Sequence, residues 1–200
     1  VILALSRPDR RKNLHTLIEA YGKDKELQAL ANLVIFAGIR KDINSMPEAE
    51  QEVLTELLLL MDKHDLYGKL AIPKRHDIEN EVALIYQYCA NKRGVFANIC
   101  LHENFGLTTI EAGGTGLPVV ITKNGGPSEI VPKMKNGYLV DPDDQEDITT
   151  SIKRILTSEE RWRRYSDNGI ISTKKHYSWA SHIEVYVSWV QESLDRTEAK

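Results

Sequence analysis

Short apolar runs alternate with longer amphipathic segments along the chain. Val1 to Leu5 is apolar and bounded by polar residues, which predicts a buried strand. Asn13 to Tyr21 then places Leu14, Leu17, Ile18 and Tyr21 at helical spacing. Further strands are predicted over Asn32–Phe36, Lys69–Ile72, Gly94–Ile99, Pro118–Thr122 and Gly137–Val140. Helices are predicted over Glu48–Lys63, Asn80–Ala90, Thr108–Gly114 and Pro127–Val131, and at about 144–157, 159–175 and 179–194.

Six strands separated by helices imply an α/β, Rossmann-like three-layer domain with a six-stranded parallel sheet and right-handed crossovers. The strands are uniformly apolar, as expected of a sheet covered on both faces. The domain should span residues 1–194, with C-terminal helices from about 159 and a polar tail over 195–200. Ligands of such sheets bind outside the carboxyl ends of the strands, so the loops that follow strands are where chemistry belongs.

Composition narrows the choices. Hydrophobic residues make up 42 % and charged residues 28 % of 200 positions, which excludes low-complexity disorder. The longest apolar stretch, from Val53, is broken by Thr55 and Glu56, so no transmembrane helix is expected. A net charge of -3 argues against a nucleic-acid partner. Two cysteines, Cys89 and Cys100, are too few for a disulfide framework and fit reduced thiols in a cytoplasmic core. The opening lacks both a leader pattern and an initiator Met, and begins inside an apolar run. It reads as a piece of a longer protein, cut at the edge of a strand.

Three loops carry candidate chemistry. Ser6 to Asn13 follows the first strand and opens a helix. Arg7 offers a planar fork and Lys12 a point charge, an anion site within an acidic protein. The competing reading is a solvated charge run with Asp9 as a helix cap. His102 to Ala112 follows the fourth strand; Glu103 and Glu111 flank Gly106, where backbone can approach a ligand closely. Carboxylates aimed at hydroxyls and helix amides aimed at phosphate suit a nucleotide sugar. Capping by Glu103 and surface exposure of Glu111 are the plainer alternatives. The third loop, Asn124-Gly125-Gly126-Pro127, is first a turn; it also opens a helix after the fifth strand, and lining the same crevice is its alternative role.

Other positions carry less. Pro73 to His76 and Gly38 to Asp42 follow the third and second strands and read as loops, the former a possible border for a base or phosphate. Gly113 to Gly116 reads as a helix stop rather than a dinucleotide fingerprint, and no Walker A motif is present. His102 reads as a hydrogen-bonding loop residue. The remaining histidines lack metal-ligand spacing, so no metal site is expected. Trp162, Trp179 and Trp189 read as packing residues of the late helices.

Together these loops resemble the nucleotide-sugar domain of retaining GT-B glycosyltransferases. The resemblance rests on S-R-x-D-x-x-K-N at Ser6 to Asn13, E-x-F-G-L-T-x-x-E-A at Glu103 to Ala112, G-L-P at Gly116 to Pro118 and N-G-G-P at Asn124 to Pro127. Within that family, the segments at 3–9, 61–68 and 73–76 are most similar to the sucrose-phosphate synthases. Sucrose synthases and other retaining hexosyltransferases share the same donor half, and a non-enzymatic nucleotide-sugar sensor is the alternative of another class.

The resemblance implies transfer of glucose from UDP-glucose to fructose 6-phosphate, with retention, giving sucrose 6-phosphate and UDP. It implies that Arg7 and Lys12 bind the diphosphate and that Glu111 holds the ribose. Glu103, with the backbone of Phe105, Gly106 and Leu107, would contact the glucose, and the amides of Leu107 and Thr108 the phosphates. The loop carrying Lys74 would lie near the uracil. No tightly bound cofactor or protein-bound metal is implied, though Mg2+ can stimulate. Fructose 6-phosphate would be held by an N-terminal domain absent from this chain, so the isolated 200 residues should transfer little or nothing. Three positions depart from the family pattern: Asn104 where proline is usual, Gly38-Ile39-Arg40 for Gly-Asn-Arg, and Ala112-Gly113-Gly114 for a run of alanines. The first and third are expected to change backbone stiffness at the donor loop and so to weaken or alter donor binding.

Overall fold

The computed structural model describes residues 1–77 and 79–198. Its six strands are β1 (Ile2–Ser6), β2 (Leu33–Ala37), β3 (Leu70–Ala71), β4 (Val95–Asn98), β5 (Val119–Thr122) and β6 (Gly137–Val140). They form one sheet in the order β3-β2-β1-β4-β5-β6, and every pairing is parallel. This is the doubly wound order, whose direction reverses between β1 and β4.

Alternation along the strands divides the core in two. Ile2 and Ala4 of β1 face one layer, with Leu17 and Ile18 of α1 (Leu14–Lys23), Leu54 and Leu57 of α3 (Glu48–Lys63), and Ile148 and Ile152 of α7 (Gln145–Leu156). Leu3 faces the other, with Tyr86 and Cys89 of α4 (Val82–Asn91), Ala112 of α5 (Leu107–Gly114) and Val131 of α6 (Pro127–Met134). The expected three-layer arrangement is therefore present. Both cysteines are buried and unpaired.

The expected elements are all found, most shifted at their ends by one to three residues, and one short helix was not foreseen. This is α2 (Lys25–Leu30), started by Asp24, whose carboxylate accepts from the Leu27 amide at 2.8 Å. Six residues are too few to show a helical stripe, so its signal is the cap alone.

The helices α8 (Glu159–His176) and α9 (Trp179–Glu198) follow. α9 continues four residues past the boundary placed at 194; Ala199 and Lys200 of the expected tail lie outside the described residues. The three tryptophans divide. Trp162 packs on the larger core, and its indole N–H donates to the Gly94 carbonyl at 2.7 Å. Trp179 and Trp189 are 80 % and 66 % exposed, so their expected packing is not found among the described residues. Among the described residues, no helix is long and apolar enough to cross a membrane.

The glycines of Ala112-Gly113-Gly114 serve close helix packing. A Cβ on Gly169 of α8 would sit 2.7 Å from the Gly113 carbonyl oxygen, and one on Gly113 would strike the end of Met134. A Cβ on Gly114 would sit 3.1 Å from the Thr173 side chain of α8. These two glycines lie where α5 packs against α6 and α8.

Candidate functional site

The loops after β1 and β4 meet at the point where strand order reverses. They border a cleft of about 570 Å³ lined by Ser6, Arg7, Lys12, Asn98, Thr108 and Glu111 on one side and Gly38, Ile39, His76 and Val82 on the other. That volume is in the range of small-molecule sites.

The β1 loop is shaped by its own side chains. Asp9 caps a 3-10 turn at Arg10–Lys12 by accepting from the Arg11 amide at 2.9 Å. The Arg11 guanidinium binds the same carboxylate at 2.6 Å and holds its pKa down to about 2. Asn13 is buried at φ 55°, and its amide donates to the carbonyls of Ile99 at 3.1 Å and Pro142 at 2.9 Å. The last residue of the motif is therefore a strut joining the loops after β1, β4 and β6. Arg7 is left exposed on the cleft, its guanidinium making no hydrogen bond or ion pair to any described residue.

Lys12 reaches across to Glu103 at 3.0 Å. The same carboxylate oxygen accepts from Asn98 at 3.3 Å and from the Cys100 thiol at 3.7 Å. Burial pushes the Glu103 carboxyl up, but Lys12 and the other donors outweigh it and keep it below its ordinary value. Burial pushes the Cys100 thiol up to about 12, which keeps its proton available to Glu103. Glu103 is therefore a fixed carboxylate and not a helix cap.

Its backbone is fixed as well. Glu103 and Gly125 form an isolated parallel bridge. The Glu103 amide donates to the Asn124 carbonyl at 3.0 Å, and the Gly126 amide returns a bond to Glu103 at 2.9 Å. Gly125 has φ +101°, and a Cβ there would collide with the Glu103 carbonyl. The Asn-Gly-Gly-Pro segment thus braces the donor loop from behind and is not part of the cleft lining. The loop bearing Asn104 in place of proline is held through this bridge.

Gly106, at φ 92°, turns the chain into α5. The amides of Leu107 and Thr108 donate to no described residue, so the positive end of the helix is open. The Thr108 hydroxyl accepts from Asn98 at 3.3 Å. Glu111, one turn further, has no partner, and the crowding around it pushes its carboxyl above the ordinary value.

The structure brings Arg7, Lys12, Thr108 and Glu111 onto one cleft, with Glu103 joined to them through Lys12 and Asn98. Phe105 and Leu107 expose their side chains, and neither they nor Gly106 are part of its lining. Lys74 is also exposed and outside the lining; His76, two residues on, faces the cleft instead. Asn98 and Glu50 of α3 line the site without being singled out by sequence, whereas His76 belongs to the loop named as a border for a base or phosphate. Asn98 carries a weak sequence signal, a polar residue closing an apolar strand; Glu50 lies in an acidic first turn that looks like ordinary helix chemistry. Among the described residues, no group of three or more His, Cys, Asp or Glu is placed to hold a metal ion.

Residues 1–171 match the family model described as glycosyl transferases group 1. The chain is 45 % identical over 195 residues to sucrose-phosphate synthase 4 of Arabidopsis thaliana, covering 98 % of this chain and 18 % of that protein. It is 46 % identical over 195 residues to the probable sucrose-phosphate synthase 5 of Oryza sativa subsp. japonica, covering 98 % and 19 %. The chain thus spans about a fifth of the length of these curated relatives. Among solved structures, a sucrose-phosphate synthase from Thermosynechococcus elongatus superposes with TM-score 0.75 at 25 % identity, over 98 % of this chain and 46 % of that one. Anabaena HepE, solved in complex with UDP, shares the fold with TM-score 0.76 at 18 % identity, over 98 % and 48 %.

Proposed function

Because this chain belongs to the glycosyl transferases of group 1, we propose that it is the donor-binding half of a retaining glucosyltransferase that makes sucrose 6-phosphate from UDP-glucose and fructose 6-phosphate. The observation that carries the reading is convergence. An unpaired guanidinium, a lysine, an open helix N-terminus and an unpaired carboxylate from two separate segments meet at one cleft, at the strand-order reversal. The similarity to sucrose-phosphate synthases over 98 % of the chain supports the choice of reaction.

The chemical problem is to break the bond from the glucose C1 to the diphosphate while negative charge accumulates on the leaving UDP. Arg7 and the amides of Leu107 and Thr108 receive that charge, aimed at the diphosphate before it arrives. Lys12 spends one N–H on Glu103 and has two left for a phosphate oxygen. Glu103, held in place by Lys12 and Asn98, accepts from the glucose hydroxyls. Glu111 accepts from the ribose hydroxyls, and its raised carboxyl is relieved by two donors where it now has none. The acceptor hydroxyl attacks C1 from the face the diphosphate leaves, and its proton passes to the departing phosphate oxygen.

Fructose 6-phosphate is assigned to a domain outside these 200 residues that faces the cleft. No resident cofactor is proposed; Mg2+ would act as a counter-ion of the diphosphate. The two buried reduced thiols suit the cytoplasm.

Calorimetric titration with UDP-glucose, UDP, ADP-glucose and GDP-mannose tests the reading. The uridine ligands should bind best, and Arg7→Ala should weaken UDP by roughly 10- to 100-fold, the range for one charged hydrogen bond. Glu111→Ala should also weaken it. Equal affinity for all four ligands, or no loss in either variant, would overturn the proposal.

A further inference from the structure

Asn98 is the polar last residue of the otherwise apolar strand β4, and it is only 8 % exposed. Its backbone is pinned in the sheet opposite Ile121 of β5. A side-chain amide is costly to bury unless its hydrogens find partners. The Asn98 amide nitrogen finds two. It donates to the Glu103 carboxylate at 3.3 Å and to the Thr108 hydroxyl at 3.3 Å. An amide nitrogen carries two hydrogens, one for each acceptor, and a carboxylate can only accept. The nitrogen of the amide, and not its oxygen, therefore faces this pair.

The bond to Thr108 has a second effect. A hydroxyl that is receiving a hydrogen bond from a neighbour cannot point its own hydrogen at that neighbour. The Thr108 O–H donates to no described residue. Thr108 and Asn98 both line the cleft, in the first turn of α5, where the helix amides are open, and at the end of β4. Asn98 thus turns one more donor away from itself and leaves it beside those amides.

Resting on the donor-site reading, we propose that Asn98 is a positioning residue that joins the two halves of that site. One of its hydrogens holds the Glu103 carboxylate for the glucose hydroxyls. The other sets the Thr108 hydroxyl, whose own hydrogen goes to the diphosphate. Glu103 and Thr108 lie on either side of the Gly106 turn, and Asn98, fixed in the sheet, keeps their spacing constant. UDP uses only the Thr108 arm, whereas UDP-glucose uses both.

Titration of the chain with UDP and UDP-glucose, across a double-mutant cycle, separates the arms. Thr108→Val, which exchanges the hydroxyl for a methyl, should weaken UDP about tenfold, and Thr108→Ser should retain it. Asn98→Ala should weaken UDP about fivefold in the parent and by less than about twofold in the Thr108→Val background, where there is no hydroxyl left to set. The same substitution should weaken UDP-glucose about tenfold more than UDP, and that extra loss should vanish in a Glu103→Gln background. A purely structural role would weaken both ligands equally in every background. Should Asn98→Ala not fold, the side-chain amide signals of Asn98 in nitrogen-15 spectra replace it. One of its two hydrogens should shift in Thr108→Val and the other in Glu103→Gln. Additive losses of Asn98→Ala and Thr108→Val, equal loss of both ligands, or amide hydrogens that respond to neither variant would overturn the proposal. Failure of the unmodified chain to bind any uridine ligand would instead reject the donor site itself.

Discussion

The two ends of the cleft are built on opposite principles. At one end, charged groups are held ready and partly unspent. The Arg7 guanidinium has no hydrogen-bond partner among the described residues, the first amides of α5 are open, and the Lys12–Glu103 pair leaves lysine protons over. At the other, polar groups are buried and committed to scaffold, with Arg40 closing the turn at Ile72–Lys74 and His76 locked against Phe36. The first end should lose ligand when altered and keep its fold. The second should lose fold when its clamp is altered. Charge that is to act on a ligand cannot also be used to hold the protein together.

The most damaging test crosses the comparison. Gly125→Val puts a side chain at φ +101° into the Glu103 carbonyl. It should cost about 3 kcal/mol of stability in a thermal melt and abolish nucleotide binding, because the charged end depends on backbone it shares with that turn. Arg40→Met comes next. It strands two carbonyls in the turn and should cost about 2 kcal/mol in urea unfolding, while affinity for inorganic pyrophosphate stays unchanged.

Lys12→Met should cost about 1 kcal/mol, since the pair is only partly buried. The sign of its pH dependence follows from Glu103. A carboxyl held below its ordinary value stabilises the fold above that value of 4.5, and the contribution is lost as pH falls through the lower folded value. The gap between variant and parent, followed by melts across pH, should therefore be full at pH 7 and close in acid. Glu111→Gln should show the smallest and opposite effect. A carboxyl raised by crowding opposes folding once ionised, so removing its charge should leave the melting temperature unchanged or raise it by about 1–2 °C at pH 7 while nucleotide binding weakens.

The charged end was legible in the sequence because its groups lie in contiguous runs after apolar strands. Arg7, Lys12, Glu103 and Glu111 could all be named before their distances were known. The buried end was legible only as two loops after strands, Gly38 to Asp42 and Pro73 to His76. That Arg40 and His76, 36 residues apart, are the buried side chains with too few partners is a property of the folded chain. Long periodic elements such as α3 were readable to the residue, whereas the six-residue α2 was not. Gly113 was readable as a helix stop, but its contact with Gly169 was hidden because the partner lies on another helix. Trp179 and Trp189 were assigned to packing on residue type alone, and the fold leaves both in solvent.

The Glu103–Gly125 bridge has a consequence for how this chain tolerates length changes. Surface loops generally accept insertions, since little depends on their register. This one is laced to a second loop by a pair of backbone bonds only five residues after β4 ends, so its two sides share a single reading frame. One residue added between Asn98 and Glu103 would slide the carboxylate past its lysine, and one added before Gly125 would do the same from the other side. Lineages of this domain should therefore hardly vary in the length of these two loops.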